Sequence, residues 1–363
     1  MTPENWYSVP SMKFLQFLAL IPFAFFGTQQ APADIAPEIA APLHGIYITS
    51  QNASNTGGGL IMDEFAKIGG NFIVFDIQDS DGKLAYLSNA QISHEIGNRK
   101  NQIPDLAAAI NTMHEKGFYV AVRFVLFKNG FLAARKPEWT LKAKGTNSPF
   151  VSRDGPIWLD PGNPELKAYL TEISQEIALA GADEIQFDYV RFPEGGKGGY
   201  VGYSFIDDAT LTRDQTLTNA VAEIANEIHY LGVKVGVDIF GIVVWDNVSW
   251  KVIGQNIAEL AKYVDVLYPM PYPSHFGPGW GGHANPADEP YFFVQETTKK
   301  FVEQTMGTGV KIRPWLQGFA MRVTNYGSNY TREQVRALND MGLDEFVVWN
   351  AANNYGIVFG GLK

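Results

Sequence analysis

The chain has no cysteine. That excludes a disulfide framework, a thiolate metal site, a cysteine nucleophile and a lipid anchor on an N-terminal cysteine. Positive charge is scarce as well: 28 Lys and Arg face 38 Asp and Glu, a net charge of −10 over 363 residues. With no basic stripe to neutralise phosphates, no nucleic-acid partner is expected. Nucleotide-binding loops are missing too. Gly57-Gly58-Gly59 has neither the dinucleotide spacing nor the Lys-Ser/Thr of a P-loop. No Gly-x-Ser-x-Gly elbow occurs, which disfavours a serine hydrolase.

What is present begins with an export pattern. Lys13 precedes the apolar run Phe14 to Phe26, and Ala31-Pro32-Ala33 follows. A charged start, a short apolar stretch and an Ala-x-Ala site predict a signal peptide over residues 1–33, with Met12 as an alternative start. The run is short for a span of about 20 residues. The expected mature protein begins near Asp34 with a Pro/Ala-rich tether over 34–42, has no stable membrane span, and is secreted or periplasmic. The catalytic domain is expected over 43–363.

From His44 onward short strands alternate with helical stretches. The strand expectations are 44–50, 71–78, 119–125, 184–190, 234–241, 264–270, 311–318 and 345–350. Helices are expected over Leu60–Ile68, Leu106–Lys116, Pro164–Gly181, Leu217–Gly232, Ile253–Tyr263, Tyr291–Met306 and Arg332–Met341. Gly69, Gly117, Gly181, Gly232 and Gly342 close several of them, and Thr331 with Gln334 resembles a capping box. Eight β/α units predict an α/β fold, a (β/α)8 TIM barrel. Only thirteen residues follow Asn350, so the eighth helix should be truncated, and the start of the mature chain is a candidate to cover the gap.

Strand parity then says what fills the barrel. With the branched apolar residues facing the helices, Tyr47, Thr49, Asp76, Gln78, Arg123, Gln186, Asp188, Asp238, Tyr268, Trp315, Gln317 and Trp349 point inward. A barrel stabilised by packing alone would carry Val, Ile and Leu there. Aromatics make up 13% of the chain, which suits stacking on sugar rings and suits a core equally.

Glycoside hydrolysis typically uses two carboxyl groups. Asp188 and Asp238, ending the fourth and fifth strands, are the candidate pair. Tyr189 and Arg191 stand beside Asp188 and would keep it ionised as a nucleophile. Val237, Ile239 and Phe240 surround Asp238 with apolar bulk, which suits a general acid. The alternative is a buried ion pair of an Asp with Arg123. Asp76 is placed to hold a substrate hydroxyl or to pair with Arg123. His275 and His283 lack an acidic partner at motif spacing, and Asp79-Ser80-Asp81-Gly82 lacks the rest of a calcium loop, so no metal or other cofactor is expected. His275, Trp280 in the Gly/Pro loop beside it, and Asn350 complete the expected sugar contacts.

Four motifs carry a resemblance. Asp183-Glu184-Ile185-Gln186-Phe187-Asp188-Tyr189-Val190-Arg191-Phe192-Pro193, Trp158-Leu159-Asp160-Pro161-Gly162-Asn163-Pro164, Gly236-Val237-Asp238-Ile239-Phe240-Gly241 and Tyr268-Pro269-Met270-Pro271-Tyr272-Pro273-Ser274-His275 occur in order. Together they resemble the bacterial glycosyl hydrolase domain family DUF4015 over roughly His44 to Tyr355. The resemblance implies a TIM barrel and a polysaccharide-directed glycosidase. Chitinase-type barrels are a more distant comparison, with Asp-Gly-x-Asp-x-Asp-x-Glu on the fourth strand. This chain keeps Asp188 but has Gln186 at the middle Asp and Val190 at the catalytic Glu, so substrate-assisted chitinolysis is not expected. The resulting expectation is an exported glycoside hydrolase acting on a cell-surface or extracellular polysaccharide. Its rival is a non-catalytic carbohydrate-binding barrel.

Overall fold

The computed structural model describes residues 42–78, 82–153, 155, 157–194, 203–246 and 248–363. The expected signal peptide, the tether up to Ala41 and the Asp79-Ser80-Asp81 turn lie outside the described residues.

The body spanning Asp34–Lys363 is a wound β/α chain. In order it comprises β1 His44–Ile48, α1 Thr56–Ala66, β2 Phe72–Asp76, α2 Leu106–Glu115, β3 Tyr119–Val125, α3 Pro164–Leu179, β4 Glu184–Asp188 and α4 Arg213–Tyr230. The second half comprises β5 Lys234–Phe240, α5 Ile257–Leu260, β6 Val266–Met270, α6 Pro290–Gln304, β7, α7 Ser328–Asn339, β8 Phe346–Trp349 and α8 Gly356–Leu362. Strand β7 is broken into Lys311–Ile312 and Trp315–Gln317. Pro314 explains the break, because it has no N–H for the ladder. The first half of β7 pairs with β6 and the second half with β8. All the pairings among these eight strands are parallel, and β8 pairs back onto β1; a separate short antiparallel pair joins Lys142–Ala143 to Tyr203–Ser204. Eight passes of chain therefore form the ring of a TIM barrel, and α8 is the expected stub of seven residues.

Parity separates two cores. Ile46, Ile73, Phe75, Val122, Ile185, Phe187, Val237 and Leu267 face the helices in one cluster. Tyr47, Phe72, Val74, Ala121, Tyr268, Trp315 and Val347 fill the barrel in the other. Gly236 makes that filling possible: a Cβ there would stand 2.5 Å from both Glu184 Oε1 and the Tyr268 ring.

Local signals set the helix ends. Asn55, Asp105 and Asn163 accept the N–H groups of Gly58, Ala108 and Leu166 at 2.8–3.0 Å. The five helix-closing glycines all adopt positive φ, between 74° and 97°. The Asn55 cap starts α1 at Thr56, four residues before the expected Leu60. The expected helix over 253–263 is instead two short ones, divided by Gly254 in the left-handed region and recapped by Asn256.

The expected cap at Thr331 is also corrected. α7 begins at Ser328, and Gln334 lies buried inside it, accepting from the Gln317 N–H at 2.8 Å and donating to the Gln317 carbonyl at 2.9 Å. The Thr-x-x-Gln pattern there serves tertiary anchoring of β7, and the capping box occurs at Thr212 and Gln215.

The bottom of the barrel holds a charged cluster that parity alone did not single out. Glu184 is fully buried and accepts from Arg313 at 3.1 Å, Tyr268 at 2.5 Å and Tyr119 at 3.1 Å. Arg313 also pairs with Glu345 at 2.7 Å. Glu184 and Tyr119 begin their strands and Tyr268 reaches down to them with its hydroxyl, at the end of a TIM barrel that carries stability.

Candidate active site

At the opposite end, β2 to β5 each contribute one charged side chain. Register brings Asp76 opposite Arg123 and Val125 opposite Asp188, so the guanidinium lies between the two carboxylates. Arg123 Nη1 donates to Asp76 at 2.5 Å, Nε donates to Asp188 Oδ2 at 3.0 Å, and Nη2 also contacts Asp188. The same Nε stands 3.8 Å from Asp238 Oδ2. The hydroxyl of Tyr47 donates to Asp76, and Trp315 Nε1 donates to Asp238 Oδ1 at 2.7 Å.

Three acids around one cation in a dry barrel cannot all ionise cheaply. Burial pushes the Asp238 carboxyl well up, and the Asp188 carboxylate beside it adds to the shift. Asp76 is also raised by burial, with Arg123 opposing. Burial works against the Arg123 charge, but Asp76 and Asp188 hold its pKa well above the usual value. Asp238 is therefore set up to keep a proton beside a carboxylate clamped by a guanidinium.

The cation on Asp188 is Arg123, and the expected partner Arg191 is elsewhere. The Arg191 guanidinium lies over Phe240 at 4.4 Å and Trp158 at 4.7 Å. Tyr189 contributes through its backbone, whose N–H donates to Asp188 Oδ1 at 2.5 Å. Tyr189 also has φ of 51°, a strained value of the kind that clusters at functional sites.

The remaining expected contacts divide by exposure. Trp349 is half-buried at the mouth, stacked on Tyr47 at 3.9 Å and under Arg123 at 5.1 Å. Four other residues are buried and already engaged. Tyr268 belongs to the bottom cluster, and Trp315 is a 1% exposed donor to Asp238. Gln317 spends its amide on the Ser274 N–H and the Phe319 carbonyl. Asn350 ties together Gly318, Ala352 and Asn354. Trp315, Gln317 and Asn350 hold the mouth in shape instead of facing it, and Tyr268 serves the opposite end. Gln78 is buried at the end of β2, in a bridge to Leu84. His275 is on the rim, edge-on to Tyr272 at 5.1 Å. Trp280 packs on Phe276 at 5.9 Å in the loop after β6, and no contact joins it to the carboxylates among the described residues.

Tyr272 was missed. It is 5% exposed within the cluster that fills the barrel, and its phenol pKa is raised by burial and then by Asp238 and Asp188. The signal was parity carried past the strand: 268, 270 and 272 share a face when the chain stays extended.

The whole barrel matches one family model. Residues 45–355 fit DUF4015, described as "Putative glycosyl hydrolase domain". The chain belongs to this family. No curated protein matches it. Among solved structures, the PgaB (BpsB) glycoside hydrolase domain from Bordetella bronchiseptica superposes with a TM-score of 0.58 at 12% identity, over 88% of this chain and 97% of that one. The catalytic domain of β-amylase from Paenibacillus polymyxa gives 0.53 at 11%, over 88% and 96%. A chitinase from Chromobacterium violaceum gives 0.50 at 12%, over 89% and 98%. At such identities these likenesses establish the barrel fold. Membership of DUF4015 makes the domain a glycosyl hydrolase by family.

Among the described residues no helix is long and apolar enough to cross a membrane.

Proposed function

We propose that this DUF4015 domain is an exported glycoside hydrolase that cleaves O-glycosidic bonds of a cell-surface or extracellular polysaccharide, with Asp188 as nucleophile and Asp238 as general acid. The observation that carries this is the contrast between two neighbouring carboxyl groups. One is gripped by Arg123, and the other is pushed by burial toward its neutral form. Both lie within 4 Å of a single nitrogen. That closeness favours the roughly 5–5.5 Å separation of retaining enzymes over the roughly 6.5–9.5 Å of inverting ones.

In the proposed reaction the Asp188 carboxylate bonds to the anomeric carbon as the glycosidic C–O bond breaks. Asp238 gives its proton to the departing oxygen. The resulting ester is then cleaved by water, whose proton returns to Asp238. Trp349 is the proposed floor for the sugar ring.

A polysaccharide panel read by released reducing ends tests the activity. The grip of Arg123 on Asp188 favours a second reading, a carbohydrate-binding barrel in which the trio is purely structural. Binding on a glycan array with no reducing ends from any bound glycan would establish that reading. Export is tested by N-terminal sequencing of the protein from culture medium or periplasm. A start near Asp34 is expected, and retention of Lys13 to Phe26 would replace secretion with an anchored protein.

A further inference from the structure

A cleft of about 630 Å³ opens over the C-terminal ends of β5 and β6, beside the carboxylate mouth. It begins at Phe240 and Met270, two residues beyond Asp238 and Tyr268 on their strands, so its inner end adjoins the Asp238 side of the pair. Its volume lies in the range of ligand sites, and its walls are largely apolar: Ile242, Val252, Phe276 and Met321 join Phe240 and Met270. Val248 and Met321 line the cleft and are 66% and 44% exposed, which puts them at its lip. Arg322 beside them holds φ of 60°, and its guanidinium donates to the Ser274 carbonyl at 3.1 Å. Ser274 also lines the cleft, and its hydroxyl has no hydrogen-bond partner among the described residues.

A bare sugar presents hydroxyls on every edge and is normally met by amides and carboxylates. This cleft is mostly greasy, with Arg322, His275 and the largely exposed Glu194 carboxylate as its charged or titratable lining, and its apolar majority is the complement of a carbonyl joined to an alkyl group. Building on Asp238 as the acid, we propose that the cleft is the leaving-group subsite and takes a sugar unit carrying an N- or O-acyl substituent. Leaving groups depart on the side of the acid, and the cleft lies on that side.

The test uses the whole protein and a panel of oligosaccharide pairs identical in linkage and differing only in acyl substitution, together with glycosyl fluorides. A fluoride leaves the cleft empty, so its turnover reports the carboxylate chemistry alone. The acylated member of each cleaved pair should react about fourfold faster or more in kcat/KM, from roughly 0.8 kcal/mol per buried methyl-sized group. Met321→Glu, at an exposed lip position that tolerates charge, should abolish that preference while leaving fluoride turnover unchanged. Fluoride hydrolysis with equal rates on both members of every cleaved pair would overturn the cleft assignment and spare the carboxylate pair. Failure to hydrolyse any fluoride or oligosaccharide would instead remove the hydrolase reading on which it rests.

Discussion

Replacing Asp188 by Asn separates catalysis from architecture because the surroundings of Arg123 are known atom by atom. If Asp188 were the sole counter-ion of a buried guanidinium, removing its charge would cost about 3–5 kcal/mol. It is not the sole counter-ion: Asp76 remains on Nη1 at 2.5 Å, and Asp238 waits 3.8 Å from Nε. The Asp188 carboxylate is one of the forces that keep Asp238 protonated, second to burial, so its loss allows Asp238 to ionise and take over part of the neutralisation. What remains is the difference between a charge-assisted and a neutral hydrogen bond, about 1–2 kcal/mol. Asp188→Asn should therefore fold, melt a few degrees lower and release no reducing ends from a polysaccharide the parent protein cleaves. Urea unfolding at pH 7 gives the stability and the reducing-end assay gives the turnover. Undiminished hydrolysis by a stable variant would refute the catalytic role. A loss of 3–5 kcal/mol would refute the charge-sharing argument.

Asp238→Asn should slow substrates with poor leaving groups far more than activated aryl glycosides, since only the former need the acid's proton. A general acid works while it holds its proton, and the folded-state pKa of Asp238 is raised, so activity should fall on the alkaline side as that proton leaves; this limb should vanish in the variant, as read from kcat/KM against pH. Trp349→Ala should weaken oligosaccharide binding by about 1 kcal/mol or more, several-fold in Kd by calorimetry, with the fold retained because the indole is only half-buried. Glu184→Gln should cost about 1–2 kcal/mol in urea unfolding, because Glu345 stays on Arg313 at 2.7 Å and only a charge-assisted hydrogen bond becomes a neutral one, while kcat of the folded fraction stays unchanged at the far end of the barrel.

The barrel was legible because its signals are local. Alternating side chains mark each strand, and a helix-closing glycine with positive φ follows five helices. The charged ring was legible for the same reason: period 2 places Asp76, Arg123, Asp188 and Asp238 on one face without knowledge of their neighbours. What escaped depends on how far each inward side chain lies from the mouth. Parity treats Tyr268 and Trp349 alike, yet Tyr268 reaches down to Glu184 and Arg313 whereas Trp349 stays at the mouth. Gln317 and Asn350 were indistinguishable from sugar ligands in the sequence, because an amide that binds backbone and an amide that binds hydroxyls look the same until its partners are known. The partner of Asp188 was misjudged through proximity in sequence: Arg191 is three residues away, but Arg123 on the adjacent strand, two residues before Asp188's register partner Val125, reaches it diagonally across the ladder.

The same reasoning carried one step beyond a strand yields Tyr272. Beyond the end of β6 at Met270, Tyr272 still packs in the cluster that fills the barrel, within electrostatic reach of Asp238 and Asp188. Its ring is fixed edge-on by His275 at 5.1 Å and Phe319 at 5.6 Å, and no hydrogen bond ties its hydroxyl among the described residues. Burial and the two nearby carboxyl groups raise its pKa, so it keeps its proton and can donate to substrate. A hydrogen bond to charge developing in the transition state is worth about 1.5–3 kcal/mol. Tyr272→Phe should then lower kcat/KM by roughly 10- to 150-fold, and since no protein partner is lost, the melting temperature should hold. A variant that melts lower while turning over at the parent rate would show that the hydroxyl supports the fold, and the donor role would have to be abandoned.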